Sequence, residues 1–175
     1  MNTMLILRGN PGNYANEEGK VVNYLRGALH EAAALEYAKL KGYAGKVLDV
    51  VGWASEDSRQ TKMALDEFRR DQMVAAFYGF SGGGYNVKHI LDKLTADECH
   101  RVRLVVVLGA PKNSRDLYLA SKYGDKAHWE LVYKLDPPQS LGGHMFGPEQ
   151  LLKEAEKKER GDRVRFSPMR VRGHH

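Results

Sequence analysis

The 175-residue sequence has a single cysteine, Cys99, so no internal disulfide can form and nothing in it calls for an oxidising compartment. One cysteine also cannot begin a zinc motif. The seven histidines show neither H-E-x-x-H nor His-x-His spacing, so we expect no bound metal. No apolar run approaches the roughly 18 residues that suggest a membrane span, and Met1 to Leu7 leads straight into a strand pattern without a basic leader, so a cytoplasmic chain that needs no membrane is expected. G-x-G-x-x-G and the phosphate-loop pattern with its lysine are both missing, and no cofactor is expected. Aromatic residues are few among the basic ones after residue 150, although the formal net charge is +5. The excess sits late, in Lys157, Lys158, Arg160, Arg163, Arg165, Arg170 and Arg172, which argues for a basic tail and makes nucleic acid an unlikely partner.

What is there is an alternation of short apolar runs with helical patterns, the mark of parallel strands joined by crossover helices. Strands are expected near 4 to 8, 46 to 51, 74 to 79, 103 to 109 and 130 to 135, mostly apolar because both faces are covered. Helices are expected over 22 to 41, ending at Gly42, over 58 to 71, over 85 to 94, and from Gly147-Pro148-Glu149 to about 159. The expected fold is a three-layer α/β sandwich with about five mostly parallel strands in the order 2-1-3-4-5. One domain over 1–160 is followed by a basic tail, 161–175, either loose or adding a short strand near Val164 to Phe166.

Ligands in such sheets bind beyond the carboxyl ends of the strands, which singles out the residues following each one. After the first strand comes Gly9-Asn10-Pro11-Gly12-Asn13, a loop able to turn backbone N–H groups inward. Arg8, at its start, is a candidate contact for an acidic substrate. After the third strand comes Gly79-Phe80-Ser81-Gly82-Gly83, a match to G-x-S-x-G, in which a serine occupies a sharp strand-to-helix turn with small neighbours. Serine also serves as an N-cap, but a cap needs no glycine on either side. After the fifth strand come Asp136 and His144, with Pro137-Pro138 and Gly142-Gly143 between them. Asp116, beyond the fourth strand, is an alternative acid. His30, His89 and His100 lie in or beside helices and His128 at the entrance of a strand, so none competes with His144.

The elbow at Ser81, the order serine, acid, histidine and the glycine-containing loop after an earlier strand together resemble the α/β-hydrolase superfamily, in its small, lidless, cutinase-like form. The resemblance spans about residues 4 to 158 and implies a serine hydrolase acting on esters or thioesters. It implies Ser81 as nucleophile, His144 as base and Asp136 as the acid that orients it, with backbone N–H groups of Asn10 and Gly82 forming the oxyanion hole. The partner implied is a small or acyl-carrying substrate, entering a shallow mouth near Tyr14, Trp53, Tyr85 and Phe146. Two other readings compete: a non-catalytic binding module on the same scaffold, and a nucleic-acid-associated protein using the basic tail.

Overall fold

A computed structural model describes residues 1–9, 13–15, 21–23, 28–50, 58–110, 129–134, 148–156 and 163–165. The β-branched and aromatic runs form the sheet the sequence predicts. Strands β1 (Thr3–Leu7), β4 (Ala44–Val47), β5 (Val74–Phe80), β6 (Leu104–Leu108) and β7 (Glu130–Lys134) pair in parallel in the order β4-β1-β5-β6-β7. Numbered by their place among these five, that is 2-1-3-4-5. A sixth strand, β8 (Arg163–Arg165), adds antiparallel to β7, pairing Glu130 with Arg165 and Val132 with Arg163. The sheet thus continues into the segment read as a tail.

Alternation along the buried strands divides the core in two. Leu5, Leu7, Phe77, Val105, Val107, Leu131 and Tyr133 face one way, against α2 (Arg59–Arg70), α3 (Gly82–Lys93) and the short α4 (Ala96–Cys99). Met4, Ile6, Tyr78, Phe80, Val106, Leu108 and Val132 face the other, against α1 (Ala28–Leu40) and α5 (Pro148–Ala155). This is a three-layer α/β sandwich. No helix among the described residues is long and apolar enough to cross a membrane.

Local expectations change at β4, which runs over Ala44–Val47 rather than 46 to 51, and at two further places. The helix expected over 22 to 41 begins only at Ala28, because Val21–Asn23 forms β3, an antiparallel partner of β2 (Asn13–Ala15). Val21 and Val22 are β-branched and suit a strand, and Gly27 interrupts the helical pattern just before the observed start. The other end is as expected, with Gly42 in the left-handed region at φ 86°. The third change is α4, which the apolar pattern does not reveal and which a capping box starts: Glu98 N–H donates to Thr95 Oγ1 at 3.1 Å, and Thr95 N–H to Glu98 Oε1 at 3.0 Å.

Arg69 of α2 donates to the same Glu98 carboxylate at 2.8 Å through Nε, tying α2 to α4. That hydrogen bond, opposed by partial burial and helped by the Thr95 N–H, pulls the Glu98 carboxyl down to about 2. A carboxyl lowered in the folded state stabilises the fold above its unfolded pKa and loses that contribution as pH falls towards its folded one. At pH 7 Glu98→Gln is therefore less stable than the parent, by ~1–2 kcal/mol. Unfolding midpoints of the two proteins converge as pH is lowered from about 4.5 to about 2; a gap constant over that window removes this role of the pair.

Candidate active site

Ser81 stands at the carboxyl end of β5 with φ 56° and ψ −120°, and it is the one non-glycine residue with positive φ among those described. An L-residue is strained there, at a cost of roughly 1–3 kcal/mol, and surrounding contacts must hold it in place. The contacts are on both sides. Ser81 N–H donates to Leu108 O of the neighbouring strand at 2.8 Å, and Ser81 O accepts from Tyr85 N–H at 3.2 Å, opening α3. The side chain makes no capping hydrogen bond to that helix, unlike Ser58 at the start of α2, whose Oγ accepts from Thr61 N–H. Ser81 does not act as a side-chain cap, and it is partly exposed at the N-terminus of a helix, where negative charge is favoured.

The glycines around it are required by close backbone approach. A Cβ on Gly79 would stand 2.5 Å from Gly83 O and 2.6 Å from Gly84 Cα. One on Gly83 would stand 2.4 Å from Leu7 O and 2.5 Å from Arg8 O. The first turn of α3 thus lies directly on the ends of β5 and β1, with Gly84 3.0 Å from Val107 Cγ1 of β6 by the same measure. The obstructing atoms at Gly79 and Gly83 are backbone, which cannot rotate away. Gly83→Ala is expected to cost about 3 kcal/mol or more, read as the free energy of urea unfolding; a cost below ~1 kcal/mol would show that the helix can lift off the sheet.

Register aligns the four strand exits. Leu7 is level with Gly79, Gly79 with Val107 and Val107 with Tyr133, while Gly109 N–H bonds Lys134 O at 2.7 Å. The chain therefore leaves β1, β5, β6 and β7 along one edge. Gly82 opens α3 directly after Ser81. Asn10, Asp116, Asp136 and His144 follow β1, β6 and β7 in the chain but lie outside the described residues, as do Trp53, Phe146 and His128. Tyr85 lies one turn into α3 with its ring 5.1 Å from that of His89, edge-on. His100 caps the end of α4, just before β6 enters the sheet, at the edge opposite Ser81.

Arg8, the candidate for an acidic substrate, is claimed by carboxylates of the chain itself. Its Nε donates to Glu31 Oε1 at 2.6 Å and its Nη1 to Asp49 Oδ1 at 2.8 Å. Partial burial disfavours its cation, but the bonds to Asp49 and Glu31 outweigh that and raise its pKa. Sequence reasoning missed a second polar group nearby. Gln60 and Asn86 are both fully buried, and Asn86 Nδ2 donates to Gln60 Oε1 at 2.9 Å. The available signal was Gln60's place on the apolar stripe of α2, four residues before Ala64 and eight before Phe68. No family model, curated protein or solved structure matches this chain.

Proposed function

We propose that the chain is a serine hydrolase of the acyl-transfer type, working through an α/β-hydrolase-like site on esters or thioesters. The observation that carries this reading is the backbone of Ser81: a strained positive φ at the end of a buried strand, between glycines 79 and 83 at which a Cβ would stand only 2.5 Å and 2.4 Å from backbone oxygens. Strain of this kind is maintained where a side chain must be presented. In the proposed reaction Ser81 Oγ attacks the acyl carbon and His144 takes its proton, with Asp136 holding the imidazole and stabilising its cation. The carbonyl oxygen becomes an oxyanion held by N–H groups of Gly82 and Asn10, each such donor worth about 3–4 kcal/mol in the transition state. The tetrahedral intermediate expels the leaving group, which receives the proton from His144. Water then repeats the sequence and frees the acid.

A fluorophosphonate probe tests the reading directly, because only an activated serine reacts with it. The intact protein is expected to gain the mass of one phosphonyl group, mapped to the peptide carrying Ser81. No adduct after prolonged exposure, with the fold intact, would leave a non-catalytic binding module on this scaffold.

A further inference from the structure

We propose that the groove between α1 and α5 is a self-association surface that takes a second copy of this chain, an inference independent of the hydrolase reading. Helix α1 buries Ala34, Tyr37 and Ala38 against the sheet, yet its outer side is also apolar, with Leu35 41% and Leu40 78% exposed. A helix apolar on both sides is normally covered on both. The groove beside that outer side has a volume of about 230 Å³ and is lined by Ala32, Ala33, Glu36 and Leu40 of α1 and by Leu152 and Lys153 of α5. Its walls are held in place from within the chain. Glu156, just past α5, accepts a hydrogen bond from the Tyr37 hydroxyl and pairs with Lys41 Nζ at 3.4 Å, which clamps the two helices together at one end.

The shape and charge of this face identify the occupant. Ala32 and Ala33 leave a hollow at one end of the groove, and Leu40 projects at the other, roughly 11 Å further along the helix axis. Between them the outer side of α1 carries both signs of charge. Glu36 and Lys39 are exposed, and neither side chain has an ion pair among the described residues. A face that offers hollow and projection, acid and base, along one helix is complementary to its own reversed copy. A two-fold axis crossing α1 near Tyr37 lays a second α1 antiparallel on the first. Leu40 of each copy then covers Ala32 and Ala33 of the other, and Glu36 of each faces Lys39 of the other, so every contact forms twice. An unrelated apolar segment fills the hollow but leaves Leu40 in water and both charges unmatched. Leu40 ends α1 shortly before β4 enters the sheet, at the edge opposite Ser81, so the contact lies away from the nucleophile.

Sedimentation equilibrium of the intact chain over a range of concentrations tests the proposal. One helix face and one groove make a small interface, so the parent is expected to dimerise weakly, with a Kd on the order of 10 μM. Leu40→Asp carries an unpaired charge into the other copy's hollow and is expected to raise Kd by about tenfold or more. Its unfolding midpoint stays near that of the parent, because Leu40 is largely exposed within one chain. Glu36→Lys and Lys39→Glu each set like charges opposite one another and raise Kd severalfold, whereas the double variant Glu36→Lys/Lys39→Glu restores it to within about twofold of the parent. A parent that stays monomeric up to about 200 μM overturns the proposal. In that case maleimide labelling of Leu40→Cys tells an open groove from one covered by another part of the same chain, and neither result rescues the dimer. A Kd unmoved by Leu40→Asp overturns it too, by placing the dimer on another face, as does a double charge variant no stronger than the single ones. Should Leu40→Asp not fold, the charge variants decide alone.

Discussion

Ser81→Ala is expected to abolish fluorophosphonate labelling and to lower kcat on p-nitrophenyl esters by about 10⁶, the scale seen when a triad nucleophile is deleted. The fold survives, because alanine adopts the same backbone with the same strain and the serine side chain makes no capping hydrogen bond. Full activity in this variant ends the hydrolase reading. A companion measurement tests the elbow itself, apart from any chemistry. Ser81→Gly relieves a positive φ that costs roughly 1–3 kcal/mol in an L-residue, against about 0.5–1 kcal/mol of added unfolded-state entropy. It is therefore expected to be at least as stable as Ser81→Ala, by up to ~2 kcal/mol. At an unstrained strand end the order reverses, so a glycine variant clearly less stable than the alanine one denies the strain seen at φ 56°.

The order of the five parallel strands was legible because each is a nearly continuous apolar run and because right-handed crossovers leave few arrangements open. Ser81 was legible for a different reason. Gly79, Gly82, Gly83 and Gly84 have almost no use as a group except where helix backbone meets strand backbone, and Gly79 and Gly83 make that approach. The β2–β3 hairpin was hidden because Val21 and Val22 read equally well as the start of the Ala- and Leu-rich helix that follows. The Gln60 link was hidden for a deeper reason. A glutamine in a helix surrounded by Arg59, Lys62 and Asp66 looks solvated, and only the meeting of α2 with the exits of β1 and β4 shows what its amide is for. The stripe shared with Ala64 and Phe68 marks Gln60 as inward-facing, but no local pattern shows that its partners come from residues 8, 50 and 86.

The acid of the proposed triad carries the second large effect. Asp136→Asn is expected to lower kcat by about 10⁴ with little change in stability, because the amide favours the wrong imidazole tautomer and cannot stabilise the cation that forms as Ser81 attacks. We place the acid at Asp136 rather than Asp116 because of its shorter chain distance from a strand end. Lys134 ends β7 level with Leu108, whose carbonyl holds Ser81 N–H, so Asp136 follows by two residues a point on the same row as the nucleophile. Asp116 follows Leu108 by eight. For Asp136 and His144 to meet at one ring, the eight-residue interval between them would have to fold back on itself. The sequence offers residues suited to that: Pro137-Pro138, which a strand interior disfavours, and Gly142-Gly143, which can turn freely. Measured side by side, Asp116→Asn should stay within a few-fold of the parent. If Asp116→Asn is the crippled enzyme, the acid belongs after β6; if neither substitution matters, His144 works without a carboxylate and the site is a dyad.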